Sequence, residues 1–363
     1  MANPTTAYIG LGSNLGDRHS SITSALDMLR QAEHIEFVRV SEVIQTAPLA
    51  GLNQPDYLNA VAEIETGLSA QALYRKLAEI ETSLGRSRDE KWSSRVIDLD
   101  LLLFGSAIID TPDLTVPHPQ MHLRSFVLSG LCRLNPQLIH PVMGEPMGEL
   151  IARLNGKDFV LRPDLPQLIS VAGIIGVGKT TVAQKLASSL NCSLLLEPYD
   201  KNPYLPEVYA GKKELALDSQ LYFLNSRIEQ LNPQTLIRKR TAVSDYIFDK
   251  ELIYAGRLLS PQQLASYEKS YQPLANKVAA PVLVIYLHDS PQKCLEHIQQ
   301  RNRPYEQVIG LQFLEKLNAD YEQLFTDWKL CPLIRVSMSK FDCTRNGDIE
   351  HLTNQIRSYV APQ

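Results

Sequence analysis

Apolar and polar positions along the chain follow two different rhythms. In the first 155 residues, strand-like segments at 7–12, 57–65 and 95–104 are mixed with helical stripes, without regular alternation. From residue 168 onwards, long helical patterns separate short apolar segments, which stand at 168–172, 193–196, 241–244, 282–287 and 333–337. The first rhythm predicts an α+β sandwich, and the second predicts a parallel sheet wrapped by helices.

The first half contains further elements that the pattern locates. A helical stripe runs through Ile22, Ala25, Leu26 and Leu29. Another follows Ser69, a residue suited to cap a helix, and consists of Leu73, Leu77, Ile80 and Leu84. The alternation over 38–46 predicts one strand, and 126–134 predicts a helix.

The stretch 155–167 separates the two rhythms. It contains Gly156, Pro163 and Pro166, which favour a linker. A chain of 363 residues is long enough for two domains. We therefore predict one domain over 1–160 and a second over 166–363.

The composition of the chain limits the classes of molecule that it is expected to bind. With 44% hydrophobic and 21% charged residues, the chain has the make-up of a globular protein. A net charge of -4 without a long basic run argues against nucleic acid as a partner and favours small-molecule substrates. The five cysteines form no C-x-x-C pair, and neither a signal sequence nor an apolar run of 18 residues is visible, so we expect a cytoplasmic protein without a membrane span.

The segment after the strand 168–172 matches the phosphate-binding pattern G-x-x-x-x-G-K-[ST]. Its residues are Gly173, Gly176, Gly178, Lys179 and Thr180. In such a loop, backbone N–H groups surround the phosphates, the lysine reaches the β- and γ-phosphates, and the hydroxyl reaches Mg²⁺. The alternative is a glycine-rich turn without a ligand, which the complete motif and its flanking elements disfavour. ATP binding is therefore predicted for the second domain.

Two aspartates interrupt the apolar run 95–104 in the first domain. Asp98 and Asp100 are two residues apart, so on a strand they point to the same face. Side-by-side carboxylates suit Mg²⁺, which takes one or two of them together with phosphate oxygens. The alternative is an exposed polar face of an edge strand. The nearby cations strengthen the metal interpretation, because a triphosphate needs both metal and basic side chains: Arg86, Arg88, Lys91, Arg95 and Arg124.

Residues 1 to about 155 resemble the 6-hydroxymethyl-7,8-dihydropterin pyrophosphokinases of folate biosynthesis. The matching pieces occur in order over the whole half: 12–15, 46–49, 53–59, 85–86, Trp92, 95–100 and 116–119. The resemblance implies a ferredoxin-like α+β sandwich and Mg²⁺-dependent transfer of a diphosphate from ATP to the pterin hydroxymethyl group, with release of AMP.

The resemblance also implies roles for individual residues. Asp98 and Asp100 hold magnesium. Contact with ATP is implied for Glu81, Lys91, Trp92, Arg95, His118 and Arg124, and closure over ATP for Arg86 and Arg88. The implied pterin site consists of Thr46, Leu49, Tyr57, Asn59 and Phe126. An aromatic pair and an amide suit a flat heterocycle with polar edges, although the rings alone would also be compatible with core packing.

The second half, from 168 to about 340, resembles the deoxynucleoside kinases. The order of its motifs carries the resemblance: the phosphate-binding loop, Glu197-Pro198, a helix with Gln220 and Arg227, and Arg301 with Arg303 before Glu306. The resemblance implies Glu197 as general base for a 5′-hydroxyl and Arg301 and Arg303 as a lid over the phosphates. The implied nucleoside contacts are Tyr209, Gln220, Arg227 and Glu306. It also implies a homodimer through the second domain.

One segment departs from the second family's pattern. Many relatives have Glu/Asp-Arg-Ser after the third strand, whereas this chain has Ser244-Asp245-Tyr246, and Lys250 stands at a position that often reads the base. Three hypotheses for the second domain follow: a deoxynucleoside kinase, a nucleotide-binding regulatory or dimerising module, and a kinase for nucleoside monophosphates. Asp245 and Lys250 favour the module, whereas Glu197, Lys179, Arg301 and Arg303 favour a kinase. The set of Glu197, Gln220 and Arg227 argues against a monophosphate kinase, so the first hypothesis leads.

Overall fold

The computed structural model describes residues 4–49, 53–86, 94–236 and 240–361. The chain separates into two compact units, Met1–Val160 and Leu161–Gln363. None of the helices within the described ranges is long and apolar enough to span a membrane.

The first unit contains seven strands and four helices among its described residues. The strands are β1 (Thr5–Ser13), β2 (Ile35–Val40), β3 (Ile44–Thr46), β4 (Tyr57–Thr66), β5 (Asp98–Phe104), β6 (Ile109–Asp110) and β7 (Thr115–Val116). The helices are α1 (Arg18–Gln31), α2 (Ala70–Ser83), α3 (Ser125–Leu134) and α4 (Met147–Leu154). The predicted strand over 38–46 is wrong in its bounds, because residues 41–43 separate β2 from β3.

The main sheet of this unit has the order β2-β4-β1-β5, with β3 also paired to β4. All of these pairs are antiparallel. Strands and helices combine as the predicted α+β arrangement requires, while the narrower ferredoxin-like description stays a prediction.

One face of this sheet packs on α1 and α2. Leu99 and Leu101 of β5 are buried in the same cluster as Leu29 and Leu77 of these helices. Asp17 and Ser69 cap the two helices by accepting hydrogen bonds from the N–H groups of Ser20 and Ala72. Because strand side chains alternate, burial of Leu99 and Leu101 directs Asp98 and Asp100 to the opposite face.

The second unit contains five strands: β8 (Gln167–Ala172), β9 (Ser193–Leu195), β10 (Thr241–Ser244), β11 (Leu283–His288) and β12 (Leu333–Ser337). Its helices are α5 (Lys179–Leu190), α6 (Leu205–Tyr209), α7 (Ala216–Gln230), α8 (Lys250–Leu258), α9 (Pro261–Ala275), α10 (Pro291–Arg301), α11 (Leu311–Thr326) and α12 (Asn346–Tyr359). Each of the five strands coincides with one of the apolar segments in the sequence to within a residue at either end.

The strands of the second unit form one sheet of order β12-β11-β8-β10-β9, and every pair is parallel. The predicted parallel sheet with surrounding helices is thus confirmed. The carboxyl ends of neighbouring parallel strands meet at one edge of a sheet, where ligands of such folds bind. Here the phosphate-binding loop follows β8, Glu197 lies two residues beyond β9, and Asp245 directly follows β10.

Candidate active sites

A cavity of about 400 Å³ lies against the polar face of the first sheet. Ten of the residues predicted for the first site line it: Thr46, Leu49, Tyr57, Asn59, Arg95, Asp98, Asp100, His118, Arg124 and Phe126. They come from β3, β4, β5, α3 and the segments that join these elements. Residues that are up to 80 positions apart in the chain thus converge on one cavity because the sheet is antiparallel.

Gly12 of β1 keeps the floor of this cavity open. It is paired with Asn59 of β4 on one side and with Asp98 of β5 on the other. A Cβ atom at Gly12 would lie 3.1 Å from the amide oxygen of Asn59 and 3.9 Å from Cβ of Asp98. Any side chain here would therefore fill the space between the predicted pterin-binding amide and the metal-binding carboxylate.

Three arginines and a histidine whose pKa is lowered by burial lie next to the two aspartates. Asp98 accepts contacts of 2.6 Å from both Arg86 and Arg95. Asp100 lies 3.7 Å from Arg124 and 4.0 Å from His118. Burial raises the pKa of the Asp98 carboxyl, the neighbouring Asp100 raises it further, and the two arginines oppose this rise. A further cation at this position would favour the ionised form of Asp98.

The donor set around Asp98 and Asp100 fits magnesium. Both groups are hard oxygen donors on one strand face, and both line the cavity. In the described residues, no three His, Cys, Asp or Glu side chains cluster as a self-sufficient metal site. Magnesium characteristically combines one or two carboxylates with phosphate oxygens and water.

Glu81 occupies a different position from the other predicted ATP contacts. It is buried on α2, does not line the cavity, and accepts a hydrogen bond of 2.7 Å from the N–H group of Leu99 as well as one from Arg86. Burial raises the pKa of Glu81 to about 7. In this structure Glu81 thus joins α2 to β5 and holds Arg86. The predicted contacts Arg88, Lys91 and Trp92 lie outside the described residues.

Asn14 supports the first site, although no function was predicted for it from the sequence. It is 1% exposed, and its amide oxygen accepts a hydrogen bond of 2.7 Å from the N–H group of Arg95. The N–H groups of Asn14 and Leu15 in turn donate to the carbonyl of Arg95, each at 3.1 Å. Asn14 therefore fixes the backbone from which Arg95 reaches Asp98. Its presence in the motif 12–15 was the signal that could have indicated this role.

The second site lies at the carboxyl ends of β8, β9 and β10. Gly176 has a φ of +87°, and a Cβ atom there would lie 2.3 Å from the carbonyl oxygen of Cys294, so only glycine fits. Lys179 begins α5 and donates to the carbonyl of Ile174 at 2.8 Å. Burial and the nearby Lys250 lower the pKa of Lys179 to about 8. The loop thus has the curvature and the lysine that phosphate binding requires.

Asp245 joins the phosphate-binding loop to the predicted catalytic carboxylate. One of its oxygens accepts a hydrogen bond of 2.6 Å from the Thr180 hydroxyl, and the other accepts one of 2.8 Å from the N–H group of Glu197. In phosphate-binding-loop enzymes, the loop hydroxyl and an aspartate at the end of a neighbouring strand hold Mg²⁺. Asp245 therefore adds a second oxygen donor next to Thr180, which the sequence did not indicate.

Glu197 lies in a network of buried charges. Its carboxylate contacts Lys250 at 2.5 Å and also Arg227, whose other nitrogen contacts Glu251. Burial raises the pKa of Glu197, but the two cations lower it more, and the resulting pKa is about 2. Glu197 is therefore ionised at neutral pH. Glu251 is fully buried and also accepts a hydrogen bond from Tyr267, a role that the sequence did not indicate.

The remaining predicted residues of the second site divide into two groups. Gln220 and Arg227 are buried on one face of α7, as their spacing of seven predicted. Arg301 contacts Glu306 at 2.6 Å, and Arg303 lies 3.5 Å from Glu306 and 4.2 Å from the ring centre of Tyr199. Burial and the charge of Glu306 raise the pKa of Tyr209. The electrostatic influence of Glu306 on Tyr209 is consistent with their assignment to one sugar site.

Both sites contain carboxylates and basic side chains of the kind that ATP-dependent phosphoryl transfer requires. Two family models match the corresponding parts of the chain. Residues 8–136 match 7,8-dihydro-6-hydroxymethylpterin-pyrophosphokinase, and residues 169–361 match deoxynucleoside kinase. The chain belongs to the first of these families through its N-terminal domain and to the second through its C-terminal domain.

Curated relatives agree with the first match. The chain is 43% identical over 136 residues to 2-amino-4-hydroxy-6-hydroxymethyldihydropteridine pyrophosphokinase of Haemophilus influenzae, covering 38% of this chain and 85% of that protein. The enzyme of the same name from Aquifex aeolicus is 38% identical over 144 residues, covering 40% of this chain and 89% of that protein. Folic acid synthesis protein fol1 of Schizosaccharomyces pombe is 34% identical over 172 residues, which is 47% of this chain but only 24% of that protein.

Among solved structures, deoxyadenosine kinase from M. mycoides with products dCMP and a flexible dCDP matches with a TM-score of 0.46 and 24% identity. The match covers 53% of this chain and 99% of that one. By the two family models, the chain combines a pterin pyrophosphokinase domain with a deoxynucleoside kinase domain. Membership of two kinase families supports two activities and does not favour a second domain that is only regulatory.

Proposed function

We propose that the first domain transfers the β,γ-diphosphate of ATP to 6-hydroxymethyl-7,8-dihydropterin and that the second phosphorylates the 5′-hydroxyl of a deoxynucleoside. The observation that carries the first part is the convergence of ten predicted residues on one cavity, with Asp98 and Asp100 on its floor. The predicted domains 1–160 and 166–363 would be the two functional units. We expect cytoplasmic small-molecule chemistry and a homodimer formed through the second domain.

The pterin lies among Thr46, Leu49, Tyr57, Asn59 and Phe126 in this proposal. Tyr57 and Phe126 offer apolar ring faces to a flat heterocycle. The amide nitrogen of Asn59 already donates to the Thr46 hydroxyl at 2.8 Å, which fixes the orientation of the amide that reads the pterin edge. Arg95, His118 and Arg124 line the same cavity next to the two carboxylates, where the phosphates of ATP would bind.

Asp98 and Asp100 would hold Mg²⁺, which when bound neutralises phosphate charge as it develops. In the transfer, the pterin hydroxymethyl oxygen forms a bond to the β-phosphorus while the bond from that phosphorus to the α–β bridging oxygen breaks. AMP leaves, and the hydroxyl proton passes to solvent. No side chain in the cavity stands out as a base, so orientation and charge neutralisation by Arg95 and Arg124 carry the catalysis.

In the second domain, the phosphate-binding loop 173–180 would hold ATP, with Thr180 and Asp245 next to Mg²⁺ and Arg301 and Arg303 covering the phosphates. Tyr209 and Glu306 would hold the sugar, and Gln220 the base. Glu197 accepts the hydrogen bond of the 5′-hydroxyl and then its proton. The 5′-oxygen bonds to the γ-phosphorus as the bond to the β–γ bridging oxygen breaks, and ADP leaves.

The first activity is tested by supplying ATP, Mg²⁺ and the reduced pterin and measuring AMP. The proposal predicts AMP formation that requires the pterin and stops when the metal is chelated. ADP formation in place of AMP, or turnover that persists in excess chelator, would contradict it.

The second activity is tested with ATP labelled at the γ-phosphate and each of the four deoxynucleosides. The proposal predicts a labelled nucleoside monophosphate with at least one of them. If all four stay unlabelled while nucleoside monophosphates become labelled, the second domain is a monophosphate kinase. If neither class is labelled although ATP binds, it is a binding module.

A further inference from the structure

The ion network at the second site contains a lysine that the family pattern does not account for. Lys250 is the first residue of α8, and its side chain is 5% exposed. Its ammonium group lies 2.5 Å from one carboxylate oxygen of Glu197, while Arg227 contacts the other oxygen. The predicted catalytic carboxylate thus has a separate cation on each of its two oxygens.

The ion pair between Lys250 and Glu197 is largely buried, and it balances charge within the network. Glu251 already accompanies Arg227 and is fully buried. Without Lys250, Glu197 would contact only one cation among the described residues, Arg227, which it shares with Glu251. A buried carboxylate that loses a partner is strongly disfavoured in its ionised form. Lys250 therefore supplies a second positive charge to a buried network that contains two carboxyl groups.

The position of Lys250 also relates it to the phosphates. The connection from β10 to α8 begins with Asp245, which accepts the hydroxyl of Thr180, and ends at Lys250. The positive charge of Lys250 is close enough to Lys179 to lower the pKa of that lysine. Lys250 thus contacts the carboxylate that would orient the acceptor and acts electrostatically on the lysine that would bind the phosphates.

The surroundings of Lys250 argue against a role in reading the base. Its ammonium lies 5.8 Å from the ring centre of Tyr246 and 5.4 Å from that of Tyr254, so two aromatic rings flank it. Such contacts stabilise a fixed cation. An ammonium group engaged with Glu197 and flanked by two rings is held in one place, whereas Gln220 stands on α7 as a separate candidate for the base.

We propose that Lys250 is a positioning residue of the second site, which together with Arg227 holds the Glu197 carboxylate towards the acceptor hydroxyl. This inference rests on the proposed nucleoside kinase function. The bonds that form and break are those of the phosphoryl transfer described above, and Lys250 gives up no proton.

The test uses the full chain with Lys250→Met, which keeps the length of the side chain and removes its charge. We expect the turnover number for the accepted deoxynucleoside to fall by at least about 100-fold, while the KM for ATP stays within about threefold. Lys250→Arg restores the charge and should recover at least about tenfold of the loss. The matched control is Lys293→Met, since Lys293 forms a surface pair with Glu296 at 2.8 Å.

A double-mutant cycle separates action through Glu197 from a structural effect. In the Glu197→Gln background, Lys250→Met should lower the turnover number by no more than about threefold, because the group it positions is already changed. Full multiplication of the two single losses would overturn the inference. So would a Lys250→Met enzyme within about threefold of the wild-type turnover number.

Folding of each variant is checked by thermal unfolding and by ATP binding. If Lys250→Met does not fold, Lys250→Gln takes its place, with the same expected loss and the same contradicting result. A wild-type chain that phosphorylates none of the four deoxynucleosides overturns the proposed function and this inference together. An active wild type with an unaffected Lys250 variant overturns the inference alone.

Discussion

The two candidate sites differ in the groups that are proposed to hold a triphosphate. In the first domain, side chains do the work: Asp98 and Asp100 stand on one face of an antiparallel sheet and are surrounded by basic residues. In the second, the backbone does it: a glycine-rich loop turns from a parallel strand into α5, and side chains complete the site. The first site is open as a cavity, whereas Glu197, the proposed catalytic carboxylate of the second site, lies in a buried ion network.

This difference predicts where each site is vulnerable. In the first site, the proposed metal binding depends on two carboxylate side chains, and backbone groups cannot take their place. A loop site distributes phosphate contacts over several N–H groups, so loss of one side chain leaves part of the binding. Substitutions should therefore be most severe in the first domain at the aspartates and more graded in the second.

The largest effect is expected for Asp98→Ala or Asp100→Ala. Each change removes a predicted metal ligand, and AMP formation should fall by about 1,000-fold or more. The measurement is AMP release with pterin and Mg²⁺, with thermal unfolding as the check on folding. Asp113→Ala is the control, because Asp113 is an exposed aspartate of the same domain. Near-normal turnover by either variant would remove the metal assignment.

A smaller loss is expected for Lys179→Met in the second domain. The backbone of the loop is unchanged, but the cation on the phosphates is gone, so nucleoside phosphorylation should fall by about 100-fold. Turnover of the best deoxynucleoside measures this effect. Lys212→Met, at an exposed lysine paired with Glu207, serves for comparison. A variant that retains most of the activity would show that the loop does not hold the reacting phosphates.

Asn14→Ala tests the support of the first site. The buried N–H group of Arg95 loses its acceptor, which should cost about 1–3 kcal/mol of stability and lower AMP formation roughly tenfold. Chemical denaturation and steady-state kinetics measure the two effects. Gln31→Ala, at an exposed amide on α1, should change neither. Unaltered kinetics in Asn14→Ala would mean that Arg95 needs no such support.

The smallest effect is expected for Gln220→Leu, which keeps the volume of the side chain and removes its amide. If Gln220 reads the base, the KM for the deoxynucleoside should rise about tenfold while the turnover number changes little. Gln262→Leu, at an exposed position of α9, is the matched control. An unchanged KM with all four deoxynucleosides would exclude Gln220 from base recognition.

The two domains also differ in how much of their structure could be predicted from the sequence. The five parallel strands are short apolar runs between long helices, so their bounds were predicted almost to the residue. In the first domain, the predicted single strand over 38–46 was wrong. The alternation of apolar and polar residues continues through 41–43, but in the structure these residues separate β2 from β3. The cavity residues followed from a resemblance, because no local pattern brings Thr46, Asp98 and Phe126 together.

Some features lay beyond any reading of the sequence. Glu251 and Tyr267 look like ordinary polar positions of two helices, and only the packing of α7, α8 and α9 places them around Arg227. The sequence showed Asp245 only as a departure from the family pattern. In the structure, its two oxygens accept hydrogen bonds from the Thr180 hydroxyl and from the N–H group of Glu197. Long-range contacts of this kind depend on the sheet order, which local periodicity does not encode.

The central claim is that one chain contains two separate kinase sites, each built from residues of a single domain. The most direct test measures AMP formed with the pterin and labelled nucleoside monophosphate in the same preparations of Asp98→Ala and Lys179→Met. We predict that Asp98→Ala loses only the first product and Lys179→Met only the second, with the other activity within about twofold of wild type. A single substitution that abolishes both products would contradict the claim.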